Sequence, residues 1–182
     1  MLKLLAAFMA GVITVCAVLW TSAQGLAFRE IESPYGVEET VARIQQNIQQ
    51  AGNGWALAGL RNPGKAVEQD GGNTLPVLMV EACSTRYSGP ILKNDAVRFL
   101  SILMPCKISV YKKSDGKVYI GLMNAELIGS LFGAQVRALM KQVAADQARF
   151  VTFDPSKPAP PMITTTPGSG GSGSSGGSAG GC

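Results

Sequence analysis

Two alternating runs, 107–113 and 117–124, stand on either side of Ser114-Asp115-Gly116. Alternation with a period of two across a short glycine-containing turn is the signature of a β-hairpin, so 107–124 is predicted to fold back on itself as two antiparallel strands. A two-stranded hairpin is not stable alone in water. The rest of the chain must supply further strands and a helical cover for its apolar side.

The preceding residues supply both. "LAFREIESP" reads as a strand ended by Pro34, because a proline and the residue before it leave regular structure. From Gly36 to Gln50, Val37, Val41, Ile44 and Ile48 recur at helical spacing. Glu38 and Glu39 fall in the first turn, where carboxylates complement the helix dipole, and read as helix-start residues rather than a catalytic pair. Ala51-Gly52-Asn53-Gly54 stops this helix, and Trp55 to Leu60 reads as a second strand. After a loop over 61–74, the apolar run 75–83 predicts a buried third strand that delivers Cys83 at its end. A short helix or turn is expected around Ile91 to Leu103, with Pro105 as its stop, and Cys106 opens the fourth strand.

Asn124 is placed to cap one long helix whose Leu127, Leu131, Phe132, Val136, Leu139, Met140 and Val143 line a single face. The order is thus strand, helix, two strands, short helix, hairpin, helix. It predicts an α+β fold: a small antiparallel sheet of about five strands covered by two main helices.

Three segments organise the 182 residues. Residues 1–27 begin with Lys3, run apolar from Leu4 to Trp20, and then offer small residues at 21–23 and 25–27. This pattern predicts a secretory signal or, if uncleaved, a membrane anchor through residues 4–20. The body, 28–153, is therefore expected in the periplasm or elsewhere outside the cytoplasm, where disulfides persist. Residues 154–182 turn proline-rich and then Gly/Ser-rich, read as flexible coil, and end in Cys182. Cys16 lies inside the export segment and reads as a small hydrophobe there.

The chain has no histidine, which removes Ser-His-Asp and Cys-His catalysis, the usual catalytic zinc sites and a histidine proton shuttle. A net charge of +4 is too mild to indicate a nucleic-acid partner. Lys107, Lys112, Lys113 and Lys117 surround the hairpin, where lysines keep an exposed strand from pairing with other chains. Gly168 to Gly173 formally fits G-x-G-x-x-G, yet no strand precedes it and no helix follows. Met79, Met104, Met123 and Met140 are potential soft-metal ligands, but they fall on apolar faces and read as core packing. No cofactor or metal is assigned.

What chemistry remains rests on Cys83, Cys106 and Cys182. For Cys83 and Cys106 three readings stand open: a structural disulfide closing a loop of about 24 residues, two unrelated buried thiols, or a reactive or ligating pair. The third draws on a helix start after Cys83 and on Lys107 beside Cys106. Cys182 is open to three readings as well: an engineered attachment handle, a tether to a partner, or a carrier arm. The last resembles in arrangement the exported sulfur carriers with a glycine-flanked C-terminal cysteine. About fifteen residues of Gly/Ser coil have a reach of roughly 20 Å.

An apolar strand ending in Ala82-Cys83, then Met104-Pro105-Cys106 before a hairpin, then Leu122-Met123-Asn124 opening the last helix, together resemble the Domain of Unknown Function 302 family over about residues 28–150. Ser84-Thr85 stands where many members have Asn-Pro, and Ala125 where many have proline. The resemblance implies a β-α-β4-α domain, often a dimer, with no established activity. The expectation is an exported, non-catalytic module that binds or carries a sulfur species or other soft ligand through its cysteines. The alternative is an interaction protein, a homodimer or part of a complex, whose cysteines form a structural disulfide and a tether. A redox enzyme ranks third because there is no Cys-x-x-Cys.

Overall fold

The computed structural model describes residues 25–164, together with Met9 and Gly11. The rest of residues 1–24 and the Gly/Ser run 165–182, with Cys16 and Cys182, lie outside the described residues. No helix among the described residues is long and apolar enough to cross a membrane.

Five strands, β1 (Phe28–Ser33), β2 (Trp55–Arg61), β3 (Val77–Ser84), β4 (Cys106–Lys112) and β5 (Val118–Met123), form one sheet in the order β1-β5-β4-β3-β2. Every neighbouring pair is antiparallel. The hairpin is β4 and β5, with Ile108 opposite Leu122 and Val110 opposite Ile120. β1 returns to pair with β5, and Lys113 and Lys117 on the hairpin form ion pairs with Glu30 and Glu32 of β1 at 2.6 and 2.8 Å. These lysines thus tie the edge strand to the hairpin.

Helix α1 (Val37–Gln50) buries Val37, Val41, Ile44 and Ile48, the four residues whose spacing announced it. They pack with Val80, Ala82, Ile108, Val110, Ile120 and Leu122 from one face of the sheet, and with Val143 and Phe150 of the last helix. The fold is α+β with helices over an antiparallel sheet, as expected.

Three elements differ from the sequence reading. The loop over 61–74 contains a short helix, α2 (Pro63–Gln69), capped by the Asn62 side chain accepting from the Lys65 N–H and started by proline in the first turn. The connection between β3 and β4 holds a helix, α3 (Thr85–Leu92), followed by a 3₁₀ turn, Arg98–Leu103. The long terminal helix is two helices, α4 (Ala125–Ser130) and α5 (Gly133–Phe150), broken where Gly133 takes a φ of +87°. Gly129 explains the angle between them: a β-carbon there would lie 2.4 Å from Cβ of Met140, so only glycine lets α4 fold down onto α5.

The first residues of the expected tail pack on the body. Residues 154–164 run back over α1. The Arg43 guanidinium donates to the carbonyls of Asp154 and Lys157 at 3.3 and 3.0 Å. The buried Gln45 amide donates to and accepts from the backbone of Ile163, both at 2.8 Å. Met162 packs against the main core. Prolines make this segment stiff, and two buried polar side chains of α1 give it fixed partners.

Candidate functional site

The sulfur-bearing residues converge at one end of the sheet. β3 carries Cys83 to its C-terminal end, where Ser84 is the N-cap of α3. β4 begins at Cys106, directly after the cis Met104–Pro105 peptide bond, and the register sets Cys106 opposite Ala82. Met123 closes β5, and Met140 comes down from α5. Cys83, Cys106, Met104, Met123 and Met140 all line one cavity of about 50 Å³, whose remaining walls are mainly apolar side chains of α3, the 3₁₀ turn, α4 and α5. Met79 is not among them.

Cys106 is a free thiol, whereas Cys83 is held in a disulfide, so the two are not bonded to each other. Burial pushes the Cys106 thiol up to about 11, and the charge of Lys107 only partly opposes this. The reading of Lys107 as an activating neighbour is thereby reversed: loss of hydration costs the thiolate more than the exposed ammonium returns. At neutral pH Cys106 is a protonated thiol, a weak nucleophile held in an apolar wall.

One side of the cavity is stiffened by a buried carboxylate that the sequence did not single out. Trp55 and Tyr87 line the cavity, and their polar ends meet at Asp146, which is 1% exposed. Trp55 Nε1–H and Tyr87 Oη–H each donate to Asp146 Oδ2 at 2.8 Å, Asn53 Nδ2–H donates at 3.3 Å, and Arg149 pairs with Oδ1. Burial works to raise this carboxyl, but the three donated hydrogen bonds and the Arg149 charge outweigh it and hold the group below the ordinary carboxylate range. Trp55 also meets Phe150 edge-to-face at 5.1 Å. The ring faces are left apolar toward the cavity because the polar edges are tied elsewhere. Three acceptor contacts on one residue of a helix leave no periodic signal, which is why Asp146 was missed.

The opposite face of the sheet is polar and open. Tyr111 and Tyr119 stack at 6.3 Å, Tyr111 Oη–H donates to Glu30, and a shallow cleft of about 1050 Å³ runs past Phe28, Ile102, Lys107 and Ser109. Burial and the Glu30 hydrogen bond push the Tyr111 hydroxyl up to about 12. No group of three or more histidine, cysteine, aspartate or glutamate side chains that could hold a metal occurs among the described residues. A soft ion would have to take thiol and thioether donors. Cys182, the third cysteine of interest, lies outside the described residues.

Fold and cavity together define a small antiparallel α+β domain with an apolar cavity that two cysteines and three methionines help to line. The family model "Domain of unknown function DUF302" matches residues 29–152, most of the chain, and the chain belongs to that family. A solved structure with the same fold is the uncharacterized conserved protein DUF302 from Bacillus stearothermophilus, at 17% identity and a TM-score of 0.61 over 69% of this chain and 96% of that one. No curated protein matches the chain.

Proposed function

We propose that this chain is an exported, non-catalytic binding module that holds a soft ligand of a few atoms, a sulfur species or a soft monovalent metal ion, at Cys106. The observation that carries the reading is a free, largely buried thiol on the wall of a cavity of about 50 Å³ that Met104, Met123 and Met140 also line. A space of that size accommodates a ligand of a few atoms, since about 10–15 Å³ by the same kind of measure already holds one water molecule. Apolar walls reject ions that do not shed their hydration readily. Thiolate and thioether sulfurs select soft partners such as cuprous ion. A thiol raised to about 11 is a holder at neutral pH rather than an attacking group, and a metal that binds it displaces its proton. Export rests on the apolar run 4–20 and the small residues after it.

The test is intact mass of protein taken from its own host without reductant, alongside titration with cuprous ion against a competing chelator. The expected result is one equivalent of bound metal, or a mass increment of one or more sulfur atoms, lost in Cys106→Ser. Wild type that takes up neither, or a Cys106→Ser variant that binds as well, sinks the reading.

A second reading, assembly, is favoured by apolar side chains left in solvent around the cavity rim. Ile102 is 81% exposed, and Phe99 and Leu131 are more than half exposed. Neighbouring Leu103 and Phe132 line the cavity, so the exposed group sits at its edge. On this reading a homodimer or a partner chain covers them. Sedimentation showing a monomer at all concentrations, with the same mass in native extracts, would remove it.

A further inference from the structure

Three residues belong to two spaces at once. Leu103, Cys106 and Met123 line the cavity of about 50 Å³ and also the wide cleft of about 1050 Å³ on the open face of the sheet. All three are half-buried. Cys106 therefore stands in a partition between the two spaces rather than in the middle of the core. Met104 and Met140 line the inner space and not the cleft. The placement follows from the elements. The 3₁₀ turn ends at Leu103 and β4 begins at Cys106, so both lie where the connection from α3 enters the sheet. Met123 is the last residue of the neighbouring strand β5. At this end of the sheet, cavity and cleft are separated by the side chains they share.

Charge in the cleft is one-sided. Its lining carries two cations, Arg29 and Lys107, and one carboxylate, Glu30. Glu30 is already engaged: Lys113 pairs with it at 2.6 Å, and Tyr111 Oη–H donates to it. Arg29 is exposed and forms no hydrogen bond or ion pair among the described residues. Lys107 is exposed too, and its ammonium donates only to the Pro105 carbonyl, at 3.4 Å. Glu81, opposite Lys107 in the β3–β4 register, is paired with Arg61. Unpaired cations along a cleft raise the local concentration of anions and repel cations. A partition of leucine and methionine then turns back any ion that keeps its water.

We propose that the open-face cleft is the entrance to the Cys106 cavity, that Leu103 and Met123 form its inner door, and that it admits small, weakly hydrated anions of the hydrosulfide or short polysulfide class. The proposal deepens the ligand reading, on which it rests for the cargo, by choosing a sulfur anion over a metal cation. The route itself depends only on the shared side chains and the two free cations.

The experiment follows alkylation of Cys106 in the folded full chain at one mildly alkaline pH and low salt, read by mass spectrometry of the tryptic peptide that contains it. Two reagents of nearly equal size are compared, neutral iodoacetamide and anionic iodoacetate. The ratio of their rates cancels the thiolate fraction, and dividing by the same ratio for a free cysteine peptide cancels intrinsic reactivity. Wild type should favour iodoacetate by about threefold or more, with the preference falling as salt rises. Replacing both exposed cations, Arg29→Gln with Lys107→Gln, should abolish it. Leu103→Ala should speed both reagents several-fold, whereas Phe132→Ala, which trims a wall of the inner cavity that the cleft does not share, should not. That comparison separates an opened door from a loosened domain. A wild-type ratio no higher than that of the free peptide, a preference that survives both charge changes, or a Phe132→Ala variant as fast as Leu103→Ala overturns the proposal. So does native protein that carries cuprous ion and no sulfur, because its cargo is then a cation. The ligand reading fails separately: protein that holds neither metal nor sulfur yet favours iodoacetate has the entrance without the cargo.

Discussion

Asp146 shows how much one side chain carries here. Removing it in Asp146→Ala leaves Trp55 Nε1–H and Tyr87 Oη–H buried without their acceptor. Each such orphan costs about 1–3 kcal/mol, so the variant should lose about 2–6 kcal/mol in a denaturant titration, and a loss below about 1 kcal/mol would show the hub to be unimportant. The same carboxyl has a pH signature. Its folded pKa is lowered, so its contribution is present above the unfolded value near 3.8 and is lost as pH falls through the lower folded value. Cys106 titrates at the other end. Its folded value is raised from 9.0 to about 11, so its contribution is complete below pH 9 and is lost as pH rises through about 11. Iodoacetamide should therefore modify Cys106 slowly at neutral pH and faster with each step toward pH 11. Fast alkylation at pH 7, at the rate of a free peptide thiol, would contradict the buried thiol that the ligand reading needs.

Among the elements, the proline-rich segment 154–164 behaves as part of the domain. Its anchor is Gln45, 2% exposed, which makes two hydrogen bonds to one residue 118 positions away. Gln45→Ala should free the segment and lower stability by about 1–2 kcal/mol. The direct reading is limited chymotrypsin digestion, with cutting after Phe153 several-fold faster than in wild type. Unchanged cutting would mean that the segment is held by Met162 and Arg43 alone. The break between α4 and α5 is likewise an element-level device, because Gly129 allows α4 to lie against Met140 and so closes the cavity from above.

For the whole molecule, residues 154–164 pack on the body rather than leaving it. Truncation after Pro155 removes Met162 and Ile163 from their sites and should cost about 2–4 kcal/mol. Stability equal to that of the full chain would show that segment 154–164 adds nothing to the fold. The hairpin, the amphipathic α1 and the α+β order were legible in the sequence because each follows from local periodicity and turn chemistry. The family was legible from Met104-Pro105-Cys106 and the residues around it, which match over 29–152. The convergence of Met104, Met123 and Met140 with Cys106 was not, since these residues come from different elements and each alone looks like ordinary core. Nor was Asp146, or the return of 154–164 across α1. Local sequence decides what a segment forms when its partners are near neighbours, and so it determined the strands, the first helix and the hairpin. Which thiol is buried free, where the cavity closes and how 154–164 is held depend on contacts between residues tens to more than a hundred positions apart, and only the packing of the finished sheet and helices brings those together.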